Sequence, residues 1–227
     1  LIKISVSVLD AFNKYINEHQ KLSGDLIYPD GDSFLEYFDK EFKQTVDMQY
    51  GSAVDAIIEN PEKYWSPEHQ EYIYDGIAFP NDYINSISQF FDYSFPFQVN
   101  GSTIFKIGDT EVLLSARVDQ LHGMEVVEFK TVWSSYLYEK FAKSMQWKCY
   151  NIIFETPRTK YIVAVSKRSA GGEVKLKQIH QFYLYHSEEN LLEVSQLLSQ
   201  LVDFLKSKNR LNEMEIKYDR SKSKETA

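Results

Sequence analysis

The chain has little sulfur of the reactive kind: among 227 residues Cys149 is the only cysteine. One thiol excludes an intrachain disulfide, and it equally excludes a four-cysteine iron–sulfur cluster. A reducing cytoplasm is the expected setting. No apolar run approaches the roughly 20 residues needed to span a bilayer as a helix, and the first residues carry no signal-peptide pattern. His19, His69, His122, His180 and His186 are scattered, with no i,i+4 pair and no neighbouring thiol, so the sequence offers zinc no ligand set. Nucleophile-elbow and phosphate-loop patterns are missing, and so are repeats and low-complexity stretches.

A basic excess is missing too. The net charge is −8, the wrong sign for a chain that holds a polyanion with its whole surface. The charge is unevenly spread, however. Residues 1–95 carry 17 acids against six bases, whereas the remainder carries 16 acids against 19 bases. Arg158, Lys160, Lys167, Arg168, Lys175 and Lys177 belong to this second part, where they either track a phosphate backbone locally or simply solubilise a hairpin. A hydrophobic content of 43% and a length of 227 residues fit one globular domain with a full core.

What is present falls into two styles of patterning. In residues 1–94 the apolar period is helical. Ser7 to Asp10 reads as a capping box, followed by apolar residues at 8, 9, 12, 15 and 16. Residues 23–33 read as a loop, 34–46 and 52–59 as helices with Pro61 ending the second, and 64–91 as helical aromatics broken at Pro80. From Phe95 the period changes to two. Strands are expected at 95–99, 102–107 and 111–120, separated by Asn100-Gly101 and Gly108-Asp109, and the next strand begins at Glu125. A long helix is expected over 134–154, with a stripe at Leu137, Phe141, Met145, Cys149 and Ile152 that makes Cys149 inert core. A buried strand at 161–165, a turn at 170–172 and a strand from Val174 to Tyr185 follow. Ser187 caps a last helix to about residue 208 whose inner side takes Leu191, Leu192, Val194, Leu197, Leu198, Leu201, Val202 and Leu205; the charged tail 217–227 frays. Strands joined both by hairpins and by a helix make a mixed central β-sheet flanked by helices, an α/β fold with a helical N-terminal elaboration.

One ordered set carries chemistry. Asp119 closes a strand, Leu121 to Met124 turn the chain with Gly123 free to take positive φ, and Glu128-Phe129-Lys130 lies on the returning strand. Alternation puts Glu128 and Lys130 on one face and Phe129 on the other. A hairpin then brings Asp119 beside Glu128. Two neighbouring carboxylates repel unless a cation lies between them, and a hard divalent ion with oxygen ligands answers that demand. An ammonium on the same face orients a water or offsets charge on a phosphorane-like transition state. The chemistry implied is metal-assisted hydrolysis of a phosphodiester. Gln146 and Tyr150 follow one helical turn apart.

This order resembles the PD-(D/E)XK nuclease superfamily, in its RecB-like and phage exonuclease-like branch, over residues 4–165. That family shows Asp, then Glu-x-Lys, then Gln-x-x-x-Tyr, read here as Asp119, Glu128-Phe129-Lys130 and Gln146-Trp147-Lys148-Cys149-Tyr150. Its Ser-rich helix start is similar to Ile4 to Leu9. Its Gly-x-x-x-His reads Gly51-Ser52-Ala53-Val54-Asp55, with Asp in place of His. The resemblance implies a single nuclease-like domain with a restriction-endonuclease-like core, its sheet and motifs within 95–186. It implies magnesium or manganese held by Asp119, Glu128, the main-chain carbonyl of Phe129 and Asp55 as the additional ligand. Lys130 would position the attacking water, and Gln146 and Tyr150 would brace Lys130 or touch the DNA backbone. Arg117, two residues before Asp119, meets a phosphate or pairs with Glu128. Trp133 and Tyr136 stack on an unpaired base or belong to the core.

The function implied is a metal-dependent deoxyribonuclease, an exonuclease of phage recombination or DNA repair type. DNA is its partner, with a single-strand annealing or other recombination protein as a candidate, and no membrane. The rival from another class is a non-catalytic DNA- or protein-binding member of the same fold, which the Asp55 replacement and the acidic first part favour.

Overall fold

The computed structural model describes residues 1–23, 34–35, 44–133, 136–169 and 171–212. Its centre is a six-stranded mixed sheet. Strand β1 (Ile2–Ser5) runs parallel to β6 (Thr110–His122), and β5 (Phe97–Ile107) lies antiparallel along the other edge of β6. Beyond β6 come β7 (Glu125–Val132), β8 (Arg158–Arg168) and β9 (Val174–Tyr185), with β7 and β8 parallel and the other pairs antiparallel.

Helices cover both faces. One face packs α1 (Val6–Ser23), α6 (Gln146–Ile153) and α7 (Glu188–Ser207) through Leu9, Phe12, Cys149, Val194, Leu198 and Leu201. The other packs α2 (Val46–Glu59) and α4 (Asn81–Ser88) through Val54, Ile57, Ile84 and Ile87 against Val127, Phe129 and Ile162. This is the expected α/β architecture. Between α2 and α4 lie a one-turn helix α3 (Pro61–Tyr64) and a small antiparallel sheet of β2 (Trp65–Ser66), β3 (Glu71–Tyr74) and β4 (Ile77–Pro80). A further short helix, α5 (Tyr138–Ala142), precedes α6.

Several local expectations are corrected. Trp65, Tyr72, Tyr74 and Phe79 lie in strands, because Asp75-Gly76, at φ 46° and 77°, makes a hairpin turn that binds Tyr72 opposite Phe79. The helix before Pro61 ends at Glu59, as expected, and Pro61 itself opens α3, where its missing N–H costs nothing. Asn100-Gly101 is no turn: β5 runs straight through it. Gly101 is needed there because a Cβ would stand 2.6 Å from the Phe154 ring. The cap of α1 is Ser5, whose Oγ accepts from Val8 N–H at 3.3 Å, and not Ser7.

The single helix expected over 134–154 is two. Asp10, almost fully buried, accepts from Met145 N–H at 2.8 Å and Ser144 Oγ–H at 2.9 Å, so a new helix starts at Gln146. Leu137 is exposed as a result, and Leu191 and Leu192 face outward on α7. The capping box at Ser187 is present, closed by Asn190. The expected loop at 24–33, the middle of the helix expected at 34–46 and the tail 217–227 lie outside the described residues.

Candidate active site

The site grows from an interrupted ladder. On the edge of β6 facing away from β5, β1 pairs with Val112 to Ser115 and β7 pairs only with Gln120 to His122. Among the described residues, 116–119 between them have no strand partner on that edge. Gly123, at φ 55°, turns the hairpin tightly, but the two strands then diverge. Asp119 sits at the mouth of the split. Its Oδ2 accepts from Phe129 N–H at 2.6 Å, standing in for the main-chain partner that β6 no longer supplies.

Glu128 and Lys130 share a face, as alternation requires, while Phe129 packs into the core on the α2 side. Lys130 Nζ lies 2.5 Å from Glu128 Oε1, and Tyr150 of α6 donates its hydroxyl to the same oxygen at 3.4 Å. Glu128 Oε2 is buried with no hydrogen-bond partner among the described residues. Burial, with the Asp119 charge added, pushes the Glu128 carboxyl up to about 7 against the pull of Lys130. For Lys130 burial disfavours the charge, yet Glu128 and Asp119 more than offset it and hold the ammonium above its ordinary range. It is a permanent cation here. Burial and then Glu128 raise the Tyr150 hydroxyl well above its usual value, so it acts as a donor.

Asp55 comes from α2 on the other side of the split. It keeps solvent access while standing in a recess walled by protein, and desolvation followed by the Asp119 charge lifts its carboxyl to about 7. With Asp119, Phe91, Phe97 and Phe129 it borders a narrow cleft of about 10 Å³, room for about one water. The acids therefore straddle the split, Asp55 and Asp119 toward α2, Glu128 toward α6. Among the described residues no three His, Cys, Asp or Glu side chains are gathered closely enough to enclose a metal ion as they stand. The donor set still fits magnesium or manganese, which take one or two protein carboxylates with water and substrate oxygens completing the shell. The orphan Glu128 Oε2 is the observation behind that fit.

The other expected residues are placed less centrally. Gln146 is half-buried at the start of α6, its N–H bound by Ser144 Oγ at 3.2 Å, and its side chain joins none of the bonds linking Asp119, Glu128, Lys130 and Tyr150. Arg117 is exposed, and its charge reaches Asp55 rather than forming an ion pair with Glu128 among the described residues. Trp133 donates to Asp47 O at 3.1 Å and meets Tyr50 edge-on, and Tyr136 stacks on His180 at 3.9 Å, so both rings are engaged within the fold. Sequence reasoning missed Gln98, whose Nε2 donates to Asp119 Oδ1 at 3.4 Å. It missed Asp10 as well, the buried acceptor that sets where Tyr150 starts its turn.

Comparison with known proteins gives a fold. No family model matches the chain, and no curated protein matches its sequence. The crystal structure of SSO0001 superposes with a TM-score of 0.51 at 11% identity, covering 90% of this chain and 77% of that one. The two share a fold. An alkaline exonuclease (LHK-Exo) from Laribacter hongkongensis superposes at 0.46 and 9% identity over 99% of this chain and 95% of its own. The same protein in complex with dAMP gives 0.47 at 10% over the same shares.

Proposed function

We propose that the chain is a metal-dependent deoxyribonuclease of the PD-(D/E)XK type, working as an exonuclease in recombination or repair. The observation that carries this reading is the group at the split: Asp119 on the Phe129 amide, with a buried Glu128 that shares one oxygen with Lys130 and Tyr150 and leaves the other orphaned. A buried acid with an unpaired oxygen is costly in a protein of purely structural purpose.

Asp119, Glu128, the Phe129 carbonyl and Asp55 would hold a magnesium or manganese ion, which supplies Lewis acidity toward the scissile phosphate. Lys130, charged at every working pH, donates to the attacking water and offsets charge gathering on the phosphoryl oxygens; it does not serve as the base. Tyr150 fixes the Glu128 carboxylate. Arg117, free at the rim, meets a neighbouring phosphate of the DNA, and Gln146 follows the same strand.

The test is degradation of linear DNA in magnesium and in manganese, alongside circular and single-stranded substrates. Wild-type protein is expected to shorten linear DNA, EDTA to stop it, and Lys130→Ala to slow it about a thousandfold or more. Equal inertness of wild type and Lys130→Ala with both metals would end the enzymatic reading.

A further inference from the structure

Among the described residues five other than glycine take a positive φ, and four of them sit in turns: Gln70, Asp75, Glu155 and Asn209. The fifth, Gln98 at φ 55°, lies inside a strand. A left-handed backbone is strained for a residue with a Cβ, and it persists where the surroundings impose it. The ladder does not impose it through a register slip, because Phe97↔Gln120 and Val99↔Val118 flank the position in one continuous register. Only the intervening pair, Gln98 with Asp119, drops out of the ladder.

The outcome of that local twist is the bond to Asp119. Oδ1 accepts from the Gln98 amide at 3.4 Å and Oδ2 from Phe129 N–H at 2.6 Å, so the carboxylate is held at both ends and its plane is set. Phe91, Phe97 and Phe129 wall the same cleft, which limits competition from water, and Asp55 borders it. A neutral donor suits the place. Lysine or arginine would neutralise Asp119 and compete with a cation, whereas a carboxylate would repel it.

We propose that Gln98 is a positioning residue, orienting the Asp119 carboxylate for a divalent cation without discharging it. This rests on the reading of the site given above. Outer partners of a ligating carboxylate are worth about ten- to a hundredfold in metal affinity.

Titration calorimetry with Mn²⁺, on the full chain, tests it together with the melting temperature of the metal-free protein. Gln98→Gly removes the amide while relieving the left-handed backbone, so it is expected to melt no lower than wild type yet bind Mn²⁺ about tenfold more weakly. Gln98→Asn tolerates the same backbone but falls one methylene short of Asp119, and it is expected to lose affinity in parallel. Asp119→Asn, as the reference, should abolish the same binding. Wild-type affinity in Gln98→Gly, or a loss of affinity that only tracks a lower melting temperature in both variants, overturns the positioning role and leaves the nuclease reading standing. Absence of Mn²⁺ binding by wild type overturns both.

Discussion

The two edges of β6 are a controlled comparison within one strand. Along β5 the ladder runs from Thr110 to Gln120, with Gln98 the single skipped position. Along the other edge the strand passes from β1 to β7 with four residues left over between them. The complete edge is structural: its demanding position is Gly101, kept bare so that Phe154 can close on it. The incomplete edge gathers ionisable groups, because a backbone N–H without a strand partner invites a carboxylate, and the carboxylate then calls for counter-charge. Sheet hydrogen bonds left unmade are what the candidate site is built on.

The sharpest way to break this contrast is to neutralise the open edge without altering its shape. Asp119→Asn keeps an oxygen for the Phe129 amide and removes the charge, and nuclease activity should fall about a hundred- to a thousandfold with the melting temperature little changed. Ser102→Ala, exposed on the β5 side, should leave the rate alone. The converse holds for Gly101→Ala. Its new Cβ meets the Phe154 ring and Ile153, so thermal unfolding should report a loss of about 1–3 kcal/mol through overpacking.

The smallest effect is electrostatic. Asp55 and Glu128 bind their protons more tightly folded than unfolded, since both are lifted to about 7 from ordinary values of 3.8 and 4.5. Their contribution to stability is therefore complete below about pH 4 and is lost as pH rises through 7. In metal-free protein the melting temperature should fall over that window relative to the Asp55→Asn/Glu128→Gln double variant. Solvent access at Asp55 keeps its share small. Added Mg²⁺ should close the gap between the two proteins at pH 8, where both acids are charged.

The sequence carried the fold wherever local chemistry was strong. Gly108-Asp109, Gly123, the alternation around Glu128 and the Ser187 cap all act within a few residues, and each is found as read. Asp75-Gly76 was equally legible but hidden among aromatics whose spacing suggested a helix. Gly101 could not be read, because a glycine kept for a helix 50 residues away looks the same as one kept for a turn. The break before α6 depends on Asp10, more than 130 residues distant. For the site, Glu128, Lys130 and Tyr150 were visible through spacing, and the structure joins them by hydrogen bonds. Gln98 left no trace, since its importance lies in a backbone angle that no residue pattern announces.

The sole thiol has a practical corollary. Cys149 is sealed in the core and its ionisation is pushed far up by burial, so the native chain should resist maleimide and iodoacetamide chemistry. A cysteine introduced at any exposed position becomes the one reactive handle, ready to take a fluorophore or spin label without first rebuilding the interior.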